Sequence, residues 1–230
     1  MYENIIIIPY RHREAHLDYF IKHTVPLFQK HLPNTKVVVV EQNDGKLFNR
    51  GAVLNVAFKE YGNKTKYFIT HDVDINPTEK CIKEYYVKEV SDSNVLGILL
   101  TLSNTLAPII KITSNDINKI NGFPNNFWGW GAEDTALRVR AEYYNLITIK
   151  YINQTCKELD NDYFKSFDDV NDRQIQNNWR NHLLYNSHFS KLSNSEKQIM
   201  IMSSGINNLE YTVIERKMIH DIVELIKVDI

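Results

Sequence analysis

The sequence predicts a single α/β domain with a mostly parallel central sheet flanked by helices. Three short apolar runs are β-branched or aromatic and end in polar residues, as buried parallel strands do: "NIIIIPY" (4–10), "TKVVVVEQ" (35–42) and "KYFITHDVDI" (66–75). The two segments between them, 14–31 and 50–61, repeat apolar residues at spacings of three and four, which is typical of amphipathic helices. This alternation of strand and helix indicates a doubly wound sheet.

The remaining elements are predicted in a less regular order. Residues 151–196 are rich in Asn, Asp, Lys and Ser, so we expect an irregular, loop-dominated segment there. No internal repeat and no linker divides the chain, which indicates one domain over residues 1–230. Apolar patterning and capping residues predict helices over 81–90, 114–120 and 133–145, a strand over 95–102, and strands within 209–230.

The composition excludes some classes of function. The 230 residues are 43% hydrophobic and 24% charged with a formal net charge of -1. Such a chain can bury a substantial core, but it carries no overall field that would attract nucleic acid. The N-terminal segment lacks the features of a signal peptide, and the run 5–8 is too short to span a bilayer. We therefore expect a cytoplasmic protein, free or peripheral to the inner face of a membrane, with no transmembrane segment and no nucleic-acid partner.

The cysteines are Cys81 and Cys156. Their spacing indicates neither a disulfide framework nor a metal site. We expect ordinary reduced thiols at both positions.

The third predicted strand ends in the sequence "HDVD". Ligands of open α/β sheets bind at the carboxyl ends of the strands, and in an extended chain Asp72 and Asp74 project to the same side. Carboxylate oxygens suit magnesium or manganese, which also bind phosphate oxygens. The two aspartates are therefore candidate metal ligands. The alternative is that Asp72 caps a turn and Asp74 is only solvated.

Basic residues follow the first two predicted strands at the same edge of the sheet. Arg11 and Arg13 follow the first strand, and Arg50 precedes the helix after the second. Planar guanidinium groups are suited to phosphate, and Phe48 could stack on a nucleobase. The alternatives are surface arginines at a helix entry and a phenylalanine that fills the core. Convergence of the three segments on one edge favours the functional interpretation.

The segment 121–134 combines glycines, two adjacent acids and four aromatic residues. Its glycines let the backbone reorient as a closing lid requires, and indole rings stack well on the apolar faces of sugars. Glu133 and Asp134 begin a predicted helix, where the helix dipole favours acids; one of them could equally be a general base that deprotonates a sugar hydroxyl. The four aromatic residues are Phe123, Phe127, Trp128 and Trp130.

Four segments, taken in order, resemble the signature segments of the β-1,4-galactosyltransferase family, glycosyltransferase family 7. They are "IIIPYRHREAHL", "FNRGAVLNVAF", "DVDINP" and "INGFPNNFWGWGAED". The last is the most specific, because it contains WGWG followed by two acids. The closing "SSGINNLEYTVIE…KVDI" is similar as well, so the likeness spans nearly the whole chain, fails mainly in 151–196 and weakens around 100–112.

The resemblance implies a GT-A fold and an activity. Family members are inverting, manganese-dependent enzymes that move galactose or N-acetylgalactosamine from a UDP-sugar to a terminal hydroxyl of a saccharide acceptor, in a β-1,4 linkage. In this protein the reaction would serve glycan or capsular polysaccharide synthesis. Residues 1–80 would form a nucleotide-binding half and residues 95–230 an acceptor-binding half, with a mobile loop over 121–134.

The resemblance also assigns roles to the candidate residues. Asp74 would bind the metal, with Asp72 in support, and Trp130 would touch donor and acceptor from the mobile loop. Glu133 and Asp134 would contact the acceptor, with Asp134 as the base, while the metal neutralises charge on the UDP leaving group. The UDP moiety would be held by Arg11, Arg13, Phe48 and Arg50.

The metal site departs from the family pattern. Family members complete it with a Met and a His spaced three apart, and no such pair occurs in 151–196. An aspartate could replace the imidazole as an oxygen ligand, which would make the site weaker or more tolerant of magnesium. The candidate positions are Phe167, Asp168 and Asp169, which lie near the place of the family histidine, and His182 and His188.

The donor-selecting position departs as well. A Tyr-Phe-Gly-Gly-like run of the family falls on Thr105-Leu106-Ala107-Pro108. In the family the tyrosine position is associated with the choice of donor, and the smaller Thr105 would leave room for an acetamido group. Both UDP-galactose and UDP-N-acetylgalactosamine therefore stay open as donors. The chain also lacks the membrane anchor and stem of animal members, so the resemblance implies a short bacterial or viral relative.

Two other interpretations compete with a metal-dependent enzyme. The first is a non-catalytic glycan- or nucleotide-binding module whose metal site has decayed, which the missing Met-x-x-His pair favours. The second is an α/β domain whose aromatic residues all lie in the core, which leaves the ordered set of edge motifs unexplained. Manganese-dependent binding of UDP would discriminate the enzyme from the decayed module.

Overall fold

A mixed eight-stranded sheet forms the centre of the protein. The computed structural model describes residues 1–99, 106, 108–129, 131–152, 156–158, 185 and 187–230. The strands are β1 (Tyr2–Tyr10), β2 (Thr35–Gln42), β3 (Thr65–His71), β4 (Ile75–Pro77), β5 (Asn94–Leu99), β6 (Ile109–Thr113), β7 (Ile147–Ile152), β8 (Cys156–Glu158), β9 (Thr212–His220) and β10 (Val223–Asp229). The large sheet has the order β7-β5-β6-β3-β1-β2-β10-β9, and β4 pairs with β8 in a separate two-stranded sheet.

Helices cover both faces of the large sheet. The helices are α1 (Glu14–Tyr19), which a π-helical turn (Phe20–Thr24) joins to α2 (Val25–His31), α3 (Arg50–Tyr61), α4 (Glu79–Cys81), which continues into a second π-helical turn (Ile82–Tyr86), α5 (Ser114–Lys119), α6 (Glu133–Tyr143) and α7 (Asn194–Met202). None of the helices in the described ranges is long and apolar enough to cross a membrane.

The centre of the sheet is parallel and buried on both sides. Strand β1 pairs in parallel with β2 and β3, and β2 pairs in parallel with β10. Ile5 packs in one core cluster with Phe58 of α3, while the next residue, Ile6, packs in the other with Phe28 of α2. Continuous runs of β-branched residues suit such strands because both faces need apolar side chains. The carboxyl ends of β1, β2 and β3 consequently meet at one edge.

Helix α3 is buried almost throughout and carries Arg50 at its first position. The seven core positions from Ala52 to Phe58 are all buried, including the polar Asn55. Its start is fixed by Asn49, whose side-chain oxygen accepts a hydrogen bond from the backbone N–H of Ala52 at 2.9 Å, as helix N-caps do. The helix therefore presents its N-terminus rigidly at the edge where the strands end.

A network of buried polar groups fixes the first part of the segment 121–134. The side chain of Asn55 donates to the carbonyl of Phe123 at 2.7 Å and accepts from the N–H of Phe123 at 2.9 Å. The fully buried Arg140 donates to the carbonyls of Asn121 and Gly122 at 3.0 and 2.9 Å. Because an unpaired buried polar group is costly, each partner restrains the others. Phe123 is completely buried in the core.

Most of the predicted elements are confirmed, but several of their ends are wrong. The strand predicted over 66–75 ends at His71, and β4 begins after a turn at 72–74. The helix predicted over 81–90 ends with the π-helical turn at Tyr86. Strand β5 begins one residue before the predicted 95–102, and its predicted end lies outside the described residues. Local preference defines strand and helix interiors better than ends, which depend on tertiary contacts.

Sequence patterning missed several elements. The prediction of irregular structure over 151–196 is wrong for the described parts, which contain β8, a helical segment at 187–191 and the start of α7. Strands β6 and β7 were not predicted. Helix α7 has a capping box at Ser193 and Glu196, a local signal that could have found it.

We predict that Gly122→Ala destabilises the protein. Gly122 has a φ of +60°, and an added Cβ would lie 2.3 Å from Oδ1 of Asn55 and 2.7 Å from Cγ1 of Ile206. The backbone strain and the clash together should lower the free energy of unfolding by about 2–4 kcal/mol. Urea unfolding followed by circular dichroism measures this change. The control is Gly45→Ala, where no atom lies within 4 Å of the added Cβ; equal effects in both variants would contradict the prediction.

Candidate functional site

The turn between β3 and β4, residues 72–74 (the DVD turn), places two aspartates beside two arginines. Nη1 of Arg13 donates to Oδ2 of Asp74 at 2.6 Å. Nε and Nη2 of Arg50 both donate to Oδ1 of Asp72, at 2.9 and 2.7 Å. The side chains of Asp72 and Asp74 keep 27% and 23% of their accessible surface. Both carboxylates therefore lie at the sheet edge, each with an arginine partner.

Arg50 also reaches the start of α6. Its Nη1 lies 3.4 Å from Oε1 of Glu133, so one guanidinium bridges two carboxylates that are 61 positions apart in the sequence. Although burial opposes the charge on Arg50, Asp72 and Glu133 raise its pKa. Arg50 is therefore a permanent cation at this position.

Burial raises the pKa of both acids in the bridge, and Arg50 opposes this shift. Burial raises the pKa of Asp72 against the opposing effect of Arg50, and the nearby Asp74 raises it further. Burial likewise raises the pKa of Glu133 to about 7, with Arg50 opposing and Asp134 adding to the shift. These effects show that the acids of the DVD turn and of α6 share one electrostatic environment.

Asp134 differs from Glu133 in its surroundings. Its Oδ1 accepts hydrogen bonds from the backbone N–H and the hydroxyl of Thr135, at 2.6 and 3.3 Å. Asp134 is partly exposed, whereas Glu133 is buried. Among the contacts of the described residues, Asp134 makes no ion pair. The residue before the helix, Ala132, has a left-handed φ of +75°, which turns the chain into α6.

The segments after β1 and β2 form a partly exposed cation–aromatic surface together with Trp128. The Arg11 guanidinium lies 5.7 Å from the centroid of the Phe48 ring and donates to the carbonyl of Lys46 at 2.6 Å. The Lys46 ammonium lies 5.5 Å from the Trp128 ring. The backbone N–H of Gly129 donates to the carbonyl of Phe48 at 2.7 Å, so the aromatic segment is attached to the loop after β2.

The four aromatic residues of 121–134 have different environments. Phe123 and Phe127 are buried, so both are core residues. Trp128 is partly exposed beside the site. Trp130 lies outside the described residues, and the mobility of the loop stays a prediction.

Most of the candidate positions for a third metal ligand lie outside the described residues. Within the described ranges, no group of three or more His, Cys, Asp or Glu residues could hold a metal ion. Of the proposed third ligands, positions 167–169 and His182 lie outside the described residues, as does Thr105. His188 is described and exposed, on the helical segment before α7.

Sequence reasoning missed two kinds of supporting residue. Gln42 and Asn49 hold the loop after β2: Oε1 of Gln42 accepts from the N–H of Asn49 at 2.7 Å, and the Asn49 side chain donates to the carbonyl of Asn125 at 2.8 Å. An asparagine directly before an apolar helix is an N-cap signal that could have identified Asn49.

His71 represents the second kind of supporting residue, and no local signal identifies its role. It is completely buried among the rings of Phe20, Phe28 and Tyr86, at centroid distances of 5.4–6.1 Å. Neither ring nitrogen has a hydrogen-bond partner among the described residues. Burial lowers the pKa of His71 to about 3, so the ring stays neutral and packs as an apolar group directly before Asp72.

Comparisons with known proteins bear on this arrangement. Residues 1–87 match the family model described as the N-terminal region of glycosyl transferase group 7, and residues 94–159 match the one described as the N-terminal domain of galactosyltransferase. Human β-1,4-galactosyltransferase 4 is 37% identical over 144 residues, which cover 60% of this chain and 42% of that protein. Human β-1,4-galactosyltransferase 6 is 32% identical over 214 residues, which cover 90% and 51%. The chain thus spans about half the length of these relatives.

Solved structures show the fold. A mutant of Drosophila β1,4-galactosyltransferase 7, in complex with manganese, UDP-Gal and xylobiose, superposes with a TM-score of 0.74 over 100% of this chain and 94% of that one, at 20% identity. The single domain is thus GT-A-like, with a mixed, mostly parallel sheet flanked by helices. Since the two family models follow each other along more than half of the chain and the related sequences agree with them, the chain belongs to glycosyl transferase group 7, the β-1,4-galactosyltransferase family.

Proposed function

We propose that the protein is an inverting, metal-dependent glycosyltransferase that moves galactose or N-acetylgalactosamine from a UDP-sugar to a terminal hydroxyl of a saccharide acceptor. The observation that carries the proposal is the Arg50 bridge, because it joins Asp72 of the DVD turn to Glu133 of α6. A transferase needs the donor phosphates and the acceptor hydroxyl within one site, and the bridge puts the candidate groups for both in contact.

The donor would occupy the edge formed by β1, β2 and β3. Arg11 and Arg13 follow β1, and the Phe48 ring lies beside Arg11 with part of its surface exposed. A uracil ring stacks on an aromatic face, and guanidinium groups bind diphosphate oxygens. Residues 1–80 would in this way supply the nucleotide-binding half, and residues 95–230 the acceptor-binding half.

The carboxylate oxygens at the DVD turn are suited to a hard divalent cation. Two carboxylates with exposed surface, together with phosphate oxygens of the donor, are the ligands that magnesium and manganese take in nucleotide sites. Asp74 is the better ligand, because a single bond to Arg13 holds it, whereas two bonds to Arg50 hold Asp72. The bound cation would neutralise charge on the departing diphosphate.

The two acids of α6 would have separate roles. Glu133 is buried against Arg50, so it holds the donor and acceptor sides of the site together. Asp134 is partly exposed, which lets its free oxygen reach an acceptor. In the proposed reaction the acceptor oxygen attacks C1 of the donor sugar, the C1–O bond to UDP breaks with its electron pair, and Asp134 takes the hydroxyl proton. Trp130 would cover the sugars from the loop.

The choice of donor sugar depends on position 105, which lies outside the described residues. Galactose is supported by the names of the relatives and by the UDP-Gal bound in the Drosophila enzyme. N-acetylgalactosamine is supported by the small side chain of Thr105. A role in glycan or capsular polysaccharide synthesis, a β-1,4 linkage, a cytoplasmic location and a bacterial or viral source all stay predictions from the sequence.

The first experiment measures UDP release from UDP-galactose and from UDP-N-acetylgalactosamine, with and without manganese, and with N-acetylglucosamine or glucose as acceptor. We expect metal-dependent release from one donor that the acceptor stimulates. Comparison of the two donors tests whether the small side chain of Thr105 admits the acetamido group. A folded chain that binds UDP but releases none with any metal would instead be the non-catalytic binding module.

We predict that Asp134→Asn lowers kcat by about 10²–10⁴-fold, the range for loss of a general base. Binding of UDP, measured by calorimetry, should persist, since Asp134 faces the acceptor side. The matched control is Glu142→Gln near the other end of α6, where the carboxylate is exposed and pairs with Arg138. Retained turnover in Asp134→Asn would remove Asp134 from the role of base.

We predict that Asp74→Asn weakens manganese-dependent binding of UDP by at least about tenfold, because it removes a charged oxygen ligand. Binding of UDP in the presence of a chelator should change much less. Asp92→Asn is the control, since Asp92 is an exposed acid in the turn before β5. If manganese strengthens UDP binding equally in Asp74→Asn and in the wild type, Asp74 is not a ligand.

A further inference from the structure

The two cysteines, far apart in sequence, meet in the fold. Sγ of Cys81 lies 2.9 Å from Sγ of Cys156, and 75 positions separate the two residues. Both side chains are buried, with 0% and 6% of their surface exposed. A contact this short between two thiols leaves no space for another atom between them.

The backbone on each side of this contact is held in place. Cys156 begins β8 and pairs in register with Pro77 of β4. Cys81 ends α4, which begins directly after β4 and is capped by Thr78, whose hydroxyl accepts from the N–H of Cys81 at 3.2 Å. The two sulfur atoms therefore face each other because a strand pair and a capped helix align them, and both positions belong to one core cluster.

We propose that Cys81 and Cys156 are a site of disulfide formation, and that the bond cross-links β8 to α4 beside the DVD turn. The oxidant is a low-molecular-weight disulfide. The thiolate of Cys156 attacks it, forms a mixed disulfide and expels one small thiolate. The thiolate of Cys81 then attacks Sγ of Cys156 and expels the second, so two protein thiols lose two electrons and two protons while one small disulfide becomes two small thiols.

The cross-link would lie close to the candidate metal ligand Asp74. Strand β4 begins at Ile75, directly after Asp74, and β8 ends at Glu158. The bond would make the pairing of these segments permanent. It would also close a long loop in the unfolded chain, which stabilises the folded state.

The surroundings predict slow formation of the bond at neutral pH. The hydrogen bond to Cys81 and burial both raise the pKa of the Cys156 thiol, which keeps the reactive thiolate scarce. The reaction should therefore accelerate as the pH rises toward the alkaline range, where more of the thiol is ionised.

The experiment incubates the full chain with oxidised glutathione at alkaline pH, then alkylates it in denaturant and identifies its peptides by mass spectrometry. We expect one peptide pair linked through Cys81 and Cys156, no alkylated cysteine, and a melting temperature raised by about 10 °C, an increase that dithiothreitol reverses. The comparison of oxidised and reduced wild-type chain needs no variant, so it holds even if a substitution impairs folding.

Cys81→Ala and Cys156→Ala are matched variants that each keep one thiol. In both we expect the same melting temperature before and after oxidation. Two outcomes would overturn the proposal: both cysteines of the folded wild type remain alkylatable after oxidation, or each carries its own glutathione without a link between them. Neither outcome depends on transferase activity, so failure here and failure of the proposed function can be told apart.

Discussion

The Arg50 bridge is the interaction on which the site depends. A guanidinium between Asp72 and Glu133 gives two half-buried or buried carboxylates a partner, and removing Arg50 would leave both without a cation in a place of low solvent access. The bridge joins the end of β3 to the start of α6 through the first residue of α3. It can do so because α3 is buried and capped by Asn49, so its N-terminus has a fixed position.

A second hydrogen-bond network fixes the position of α3 relative to α6. Asn55 and Arg140 hold the backbone of 121–123 by side-chain hydrogen bonds, and Gly122 lets the chain pass where any side chain would collide with Asn55. These groups sit on α3 and α6, the helices that also carry Arg50 and Glu133. The packing that fixes the start of the aromatic segment therefore also sets the distance between the two acidic motifs.

Opposite charges are paired at the sheet edge. Arg13 faces Asp74, and Arg50 faces Asp72 and Glu133, so two guanidinium groups neutralise part of the charge of three carboxylates. In the proposed reaction, the arginines would contact a nucleotide diphosphate and the aspartates a divalent cation, so binding of the two together would be favoured over binding of either alone. At the same edge, the buried Glu133 and the partly exposed Asp134 have different environments although they are neighbours in sequence.

The sequence by itself determined β1, β2 and α3, because β-branched runs and apolar periodicity are local properties that the fold did not override. It also identified the short polar motifs that follow β1 and β3. Arg11, Arg13, Asp72 and Asp74 lie at one edge of the sheet, as predicted. Only the tertiary structure decided the long-range partners. Arg50 contacts Glu133, β10 pairs with β2, and Cys81 lies against Cys156. The reason is physical. Contacts between residues 75 or more positions apart depend on how elements pack and on which buried polar groups must be satisfied. Local periodicity in the sequence does not predict such packing.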